Sequence, residues 1–117
     1  MKSARFLALL LVPALIGSAH AVDRAEEPRA IAITAKRFEF VPSTITLKKG
    51  ETVKLVVTSE DVTHGFFLRP LKIDTDLTPG QTQEITVTPH TAGTFTAICH
   101  HFCGAGHGGM KLTVVVE

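Results

Sequence analysis

The sequence has no tryptophan and no tyrosine, and it contains only two cysteines. Neither sign of charge is in large excess, because the chain has 12 basic and 11 acidic residues. We therefore expect no electrostatic attraction to nucleic acid or to an anionic membrane. No apolar run reaches the ~20 residues that a membrane-spanning helix needs, so we expect no stable membrane insertion. A chain of 117 residues suffices for one folded domain.

The N-terminus has the pattern of a secretory signal peptide. Lys2 and Arg5 form a positive start, residues 6–16 form an apolar stretch interrupted by Pro13, and residues 19–21 form a small-x-small cleavage site. We expect residues 1–21 to be removed, and the mature protein to be periplasmic or otherwise exported, and soluble. A retained N-terminal anchor is the alternative. Cleavage would remove two of the 12 basic residues and no acidic one, leaving a formal charge of −1.

The rest of the chain divides into a short leader and one domain. Residues 22–29 are polar and include Pro28, which predicts a flexible leader, and residues 30–117 form the domain. Apolar residues alternate with polar ones in segments that are separated by Gly or Pro turn signals. These residues are Ile31 and Ile33; Ile45 and Leu47; Val53, Leu55 and Val57; Ile85 and Val87; Phe95 and Ala97; and Leu112, Val114 and Val116. The pattern predicts an all-β antiparallel sandwich.

Residues 99–110 concentrate soft metal donors between the last two predicted strands. Cys99, Cys103, His107 and Met110 follow the spacing Cys-x3-Cys-x3-His-x2-Met, and the four glycines after Cys103 allow the loop to wrap closely around an ion. Thiolates, imidazole and thioether together suit copper. A structural zinc site would want four strong donors, and a thioether is a poor choice for it. We therefore expect copper.

A disulfide between Cys99 and Cys103 is the alternative interpretation of the two cysteines. Export exposes thiols to oxidation, and cysteines four residues apart in a flexible loop can approach bonding distance. The bridge would close a very small loop, so it would stabilise the chain little. It would also leave His107, Met110 and the upstream His64 without a role.

The loop resembles the binuclear copper-A motif of cytochrome c oxidase subunit II and of the nitrous oxide reductase C-terminal domain. Upstream, residues 61–66 (Asp-Val-Thr-His-Gly-Phe) resemble the segment that carries that family's first histidine ligand, and residues 75–80 resemble the stretch that follows it. The resemblance covers most of residues 38–117. It implies a cupredoxin-like Greek-key β-sandwich.

The resemblance also implies a ligand set. Cys99 and Cys103 would bridge two copper ions, and His64 and His107 would each supply a terminal imidazole. Met110 would be a weak axial ligand to one ion, and the main-chain carbonyl of His101 would be the weak ligand to the other. Phe66, Phe67 and Phe102 are interpreted as a hydrophobic shell around the centre, His90 and His100 as exposed residues, and Asp61 as support for the loop or a partner contact.

Three features depart from the family. A subunit of an oxidase would carry a transmembrane hairpin before the copper domain, whereas this chain shows only the signal pattern. The family's tryptophan-containing aromatic cluster has no counterpart here, which makes cytochrome c docking in the family manner doubtful. His101 stands where the family usually has an acidic residue, and its imidazole could itself capture copper.

Three functions remain open. The first is single-electron transfer through a binuclear copper centre, with a c-type cytochrome or a terminal reductase as redox partner. The second is copper storage or delivery in the periplasm, without redox work. The third is a mononuclear blue-copper carrier. We do not expect an enzyme, because the donors would fill the metal and no separate nucleophile–base pair is evident.

Overall fold

The computed structural model describes residues 10–13, 17 and 27–117. The predicted signal peptide and leader lie mostly outside the described residues and stay predictions. The described part forms nine strands: β1 (Arg29–Lys36), β2 (Glu39–Val41), β3 (Thr44–Leu47), β4 (Val53–Ser59), β5 (His64–Leu68), β6 (Ile73–Leu77), β7 (Gln83–Val87), β8 (Gly93–Ile98) and β9 (Lys111–Val116). Two single 3-10 turns, Arg69–Leu71 and His107–Gly109, complete it. Within the described ranges, no helix has the length and apolar character needed to cross a bilayer.

The strands form two sheets packed face to face around one core. One sheet has the order β2-β1-β4-β7, and the other has the order β3-β9-β8-β5-β6. The prediction of an all-β sandwich is therefore confirmed, but the expectation of purely antiparallel sheets is wrong. Strands β1 and β4 run parallel, as do β3 and β9. The chain repeatedly crosses between the sheets, and a strand that returns after such a crossing can lie parallel to its new neighbour.

Alternating burial explains why the six predicted segments are strands. In β4, for example, Val53, Leu55 and Val57 are buried while the residues between them are partly exposed. Periodicity did not reveal β2, β5 and β6. Strand β5 is buried on both faces, so it has no alternation to detect. Its Phe66 packs edge-on against Phe40 of β2, with ring centroids 5.6 Å apart.

Strand pairing brings two distant parts of the chain to one end of the sandwich. Strand β8 ends at Ile98, just before Cys99, and it runs antiparallel to β5, with Phe67 opposite Ile98. The beginning of β5, which is His64, therefore lies at the same end as the end of β8. The loop 99–110 spans the gap from β8 to β9 at that end.

Gly65 permits the closest approach between these two parts. A Cβ atom placed on this buried glycine would lie 2.5 Å from the backbone nitrogen of His101 and 2.6 Å from that of His100. No side chain fits there, so the loop can cross β5 only because residue 65 has none.

Replacing Gly65 with alanine should therefore force the loop away from β5. We expect Gly65→Ala to lower the free energy of unfolding by about 1–3 kcal/mol, the usual cost of overpacking. Gly108→Ala is the matched control, because a Cβ on Gly108 meets nothing within 4 Å. Chemical denaturation followed by far-ultraviolet circular dichroism measures both. Equal midpoints for the two variants would contradict the packing argument.

Candidate metal centre

Five side chains with soft or imidazole donors converge at this end of the sandwich. His64, Cys99, Cys103 and Met110 are all at most 5% exposed, and His107 is half-buried. His64 begins β5, and Met110 immediately precedes β9. A backbone hydrogen bond closes the loop from Cys99 to Met110, because Cys99 donates its N–H to the carbonyl of Met110 at 3.3 Å.

The donor atoms form a connected row. Nδ1 of His64 lies 3.9 Å from the sulfur of Cys99, which lies 3.4 Å from the sulfur of Cys103. The sulfur of Cys103 lies 3.8 Å from Nδ1 of His107. Each sulfur therefore has one imidazole beside it.

A weaker donor accompanies each sulfur as well. The Cys99 thiol donates to the main-chain carbonyl of His101 at 3.1 Å, and the sulfur of Met110 lies 3.9 Å from that of Cys103. The structure thus brings together all six residues that the sequence singled out. The donors of His64, Cys99 and Cys103 also lie within 4.8 Å of one another, a separation that can hold a metal ion.

The two cysteines are free thiols in this structure. Their sulfur separation of 3.4 Å is well beyond the ~2.05 Å of a disulfide bond. It is within the ~4.6 Å that two metal–sulfur bonds of ~2.3 Å can span. The two sulfurs are therefore close enough to share an ion, and the donor set as a whole fits copper.

Burial opposes ionisation of the Cys103 thiol. Burial first and the neighbouring Cys99 second raise the pKa of Cys103 to about 11, although the positive charge of Arg37 acts in the opposite direction. The Cys103 thiol is therefore largely protonated near neutral pH when no metal is bound. Binding a metal as thiolates must release protons.

Asp61 orients the ring of His64 by contacting the ring nitrogen that faces away from Cys99. Its Oδ1 lies 2.6 Å from Nε2 of His64, so Nδ1 points towards Cys99. The carboxylate also accepts the backbone N–H groups of Arg37 and Val62. Burial would raise the pKa of Asp61, but these hydrogen bonds outweigh it and lower the pKa to about 2. Asp61 therefore supports the site as an ionised group.

Arg37 is a residue that sequence reasoning missed. It lies between β1 and β2, and its Nε donates to the main-chain carbonyl of Cys103 at 3.0 Å. Its backbone N–H donates to Asp61 at 2.8 Å. Arg37 therefore connects the ligand loop with the group that orients His64. No local pattern could reveal this contact, because it joins residues 66 positions apart.

Other residues singled out in the sequence take different positions. The imidazole of His101 is turned towards Asp76, at 3.6 Å, rather than into the sulfur pair. Phe66 lies in the core and Phe67 is half-buried, with its ring 4.7 Å from that of His100. Phe102 was interpreted as part of a hydrophobic shell around the centre, but it is 76% exposed, with its ring 5.9 Å from His107. It projects from the surface because it sits at the tip of the loop.

Comparisons with known proteins agree with the fold and with the motif. The family model described as "Cupredoxin-like domain" matches residues 6–114. A probable cytochrome c oxidase subunit 2 of Streptomyces avermitilis is 42% identical over 73 residues, which are 62% of this chain and 23% of that protein. Cytochrome c oxidase subunit 2 of Thermus thermophilus is 31% identical over 87 residues, 74% of this chain and 64% of that protein.

The second predicted resemblance is also confirmed. A nitrous-oxide reductase of Cupriavidus necator is 33% identical over 91 residues, which cover 74% of this chain and 14% of the reductase. A chain in the cryo-EM structure of a heme-copper terminal oxidase dimer superposes with a TM-score of 0.70 at 25% identity, over 78% of this chain and 66% of that chain. The chain thus spans less than two thirds of the length of each of these relatives.

Removing the charge of Asp61 should make the orientation of the His64 ring less well defined. We expect Asp61→Asn to weaken Cu(I) binding by about 10- to 100-fold, the usual effect of losing a group that orients a ligand. The carboxylate is ionised above a pH of about 2, so the loss should appear throughout the neutral range. Competition with a chromogenic Cu(I) chelator measures the affinity. Glu60→Gln, a neighbouring exposed acid, is the control, and an affinity of Asp61→Asn equal to this control would contradict the role.

Proposed function

The chain belongs to the cupredoxin-like domain family, and from that premise we propose that it is an exported single-electron carrier with a centre of two copper ions. The arrangement of donors carries the proposal. Two sulfurs lie side by side, and each has its own imidazole on the outer flank. A centre that holds one ion would not need a second sulfur with its own imidazole.

We assign the ligands by the same geometry. Cys99 and Cys103 are the bridging thiolates, and His64 and His107 are the terminal imidazoles. The carbonyl of His101 and the thioether of Met110 are weak donors, each recorded beside a different sulfur. Support for six ligands therefore comes from contacts as well as from the resemblance to oxidase subunit 2 and nitrous-oxide reductase.

The protein holds these donors in place with its sheets. His64 is anchored as the first residue of β5, and the loop that carries the other donors is closed between β8 and β9. Burial of both thiols and of His64 keeps bulk water from the donors. Copper supplies the one-electron couple. A scaffold that moves little between redox states lowers the reorganisation that accompanies electron transfer.

The surface near His107 is the proposed route for electrons. His107 is the one side-chain donor of the set that is not buried, and the exposed ring of Phe102 lies beside it. We propose that a c-type cytochrome or a terminal reductase docks at this end. Export, as predicted from residues 1–21, would place the protein with such partners in the periplasm. We assign no catalytic step to the chain, because the side chains gathered at the centre are metal donors.

Copper storage or delivery through one ion is the second candidate. The observation that favours it is the compact triad of His64, Cys99 and Cys103, whose donors lie within 4.8 Å of one another. Such a triad can hold a single Cu(I) ion without His107. A mononuclear blue-copper carrier also needs only one ion.

Copper stoichiometry separates these candidates. We expect the wild-type protein to retain about two copper ions per chain after passage through a chelator that strips exposed Cu(II). Cys103→Ser should retain one or none, because a bridging thiolate is lost. His90→Gln is the control, since it removes an exposed imidazole that lies between β7 and β8, outside the donor set. Metal analysis with protein quantitation gives the ratios. One copper in the wild type, or two in Cys103→Ser, would contradict the binuclear proposal.

A further inference from the structure

The two residues that connect β1 to β2 both contact the ligand loop. The side-chain Nε of Arg37 donates to the main-chain carbonyl of Cys103 at 3.0 Å. The ring of Phe38 lies so close to Gly104 and Gly106 that a Cβ atom on these glycines would be 2.8 Å and 2.5 Å from it. The connection between β1 and β2 therefore packs against the part of the loop that begins with Cys103.

The same connection reaches the group that orients His64. The backbone N–H of Arg37 donates to Oδ2 of Asp61 at 2.8 Å, and Oδ1 of that carboxylate lies 2.6 Å from Nε2 of His64. Arg37 thus contacts both segments of the chain that supply the donors, one through its backbone and the other through its side chain. A displacement of Arg37 would therefore disturb groups on both segments.

The positive charge of Arg37 is placed differently from that of several other basic side chains. Arg29, Lys36 and Lys54 each pair with a glutamate, at N–O distances of 3.0, 3.4 and 3.8 Å. Within residues 27–117, no carboxylate pairs with the guanidinium of Arg37. Its side chain instead lines an open cleft of about 290 Å³ together with Cys103. The guanidinium therefore brings a positive charge to Cys103 that no acidic side chain neutralises by direct contact.

A cation beside a thiolate stabilises the more negative state. Burial and then the neighbouring Cys99 raise the pKa of the Cys103 thiol, and the positive charge of Arg37 acts against them. The same sign applies to a redox centre, because a nearby cation favours the state that holds one more electron. Arg37 should therefore make a centre held by Cys103 easier to reduce. Water in the open cleft screens the charge, so the effect should be moderate.

We propose that Arg37 is a positioning residue of the copper centre, which holds Cys103 through its guanidinium and raises the reduction potential of the centre through its charge. This inference rests on the proposed electron-transfer function and deepens it, because the potential decides which partners can give or take the electron. Arg37 acts through the main-chain carbonyl of Cys103, so it is not itself a ligand.

A redox titration of the copper-loaded protein tests the role of the charge. Arg37→Met removes the charge and the donor, Arg37→Gln removes the charge but keeps an N–H donor, and Arg37→Lys keeps the charge. We expect the equilibrium constant for reduction to fall about two- to tenfold in both uncharged variants, through loss of one screened charge. A tenfold fall corresponds to ~59 mV for one electron.

Two further variants show whether the position of the charge matters. Arg37→Lys should keep a potential close to that of the wild type. Lys36→Met is the matched control, because the neighbouring ammonium pairs with Glu39 at 3.4 Å rather than with the ligand loop. Its potential should equal that of the wild type.

Amide hydrogen exchange of the metal-free protein tests the contact independently of copper. Without the donor of Arg37, the carbonyl of Cys103 loses its partner and the loop opens more often. We expect amides of residues 102–107 to exchange at least about threefold faster in Arg37→Met than in the wild type, and at the wild-type rate in Lys36→Met.

The outcomes separate this inference from the proposed function. A wild-type potential in both uncharged variants would overturn the inference, even with faster exchange, because that pattern shows only a structural contact. An equally lowered potential in Arg37→Lys would also overturn it. Failure of the proposed function appears earlier, in the wild type alone, as a four-line spectrum or as the lack of a reversible couple. With a four-line spectrum the comparison between variants still decides the role of Arg37, whereas without a reversible couple the inference falls with the function.

Discussion

The crossing of the ligand loop over Gly65 is the contact on which the rest of the site depends. The backbone N–H of Gly65 donates to the sulfur of Cys99 at 3.3 Å, and the missing side chain leaves room for the backbone of His100 and His101. Because His64 is the residue just before this glycine, the same crossing sets the position of its imidazole beside Cys99. It also brings His100 and His101 towards Asp74 and Asp76 on the edge strand β6. One close backbone approach therefore positions the buried donors and the loop that carries them.

Around this crossing, the protein balances burial against hydrogen bonding. The thiols and His64 are removed from water, and burial raises the pKa of Cys103, while Asp61 stays ionised because three hydrogen-bonding groups converge on it. Arg37 connects Asp61 with the ligand loop, because its backbone N–H donates to Asp61 and its Nε donates to the carbonyl of Cys103. The orientation of His64 is therefore fixed by Asp61 before any metal binds. In the electron-transfer role that we propose, such preorganisation would keep the structural change between redox states small.

The sequence allowed prediction of the elements whose residues alternate between core and solvent, such as β4 and β9, because a period of two is a local property. It did not reveal β5, where both faces are covered, or the mixed strand directions, which depend on crossings between sheets. In the candidate site, the spacing of Cys99, Cys103, His107 and Met110 is local and was detectable. His64 needed the family resemblance, and Arg37 could not be found, since its contact with residue 103 depends on the tertiary fold. Phe102 was misplaced because apolar character does not show which way a loop tip faces.

The central claim is that two copper ions share the sulfur pair and one unpaired electron. Electron paramagnetic resonance of the copper-loaded, partly oxidised protein, freed of exposed Cu(II), tests this directly. An electron shared equally by two copper nuclei gives a seven-line hyperfine pattern, which the arrangement of Cys99 and Cys103 between His64 and His107 predicts. A four-line pattern from the buried centre would show an electron confined to one copper nucleus and would contradict the claim.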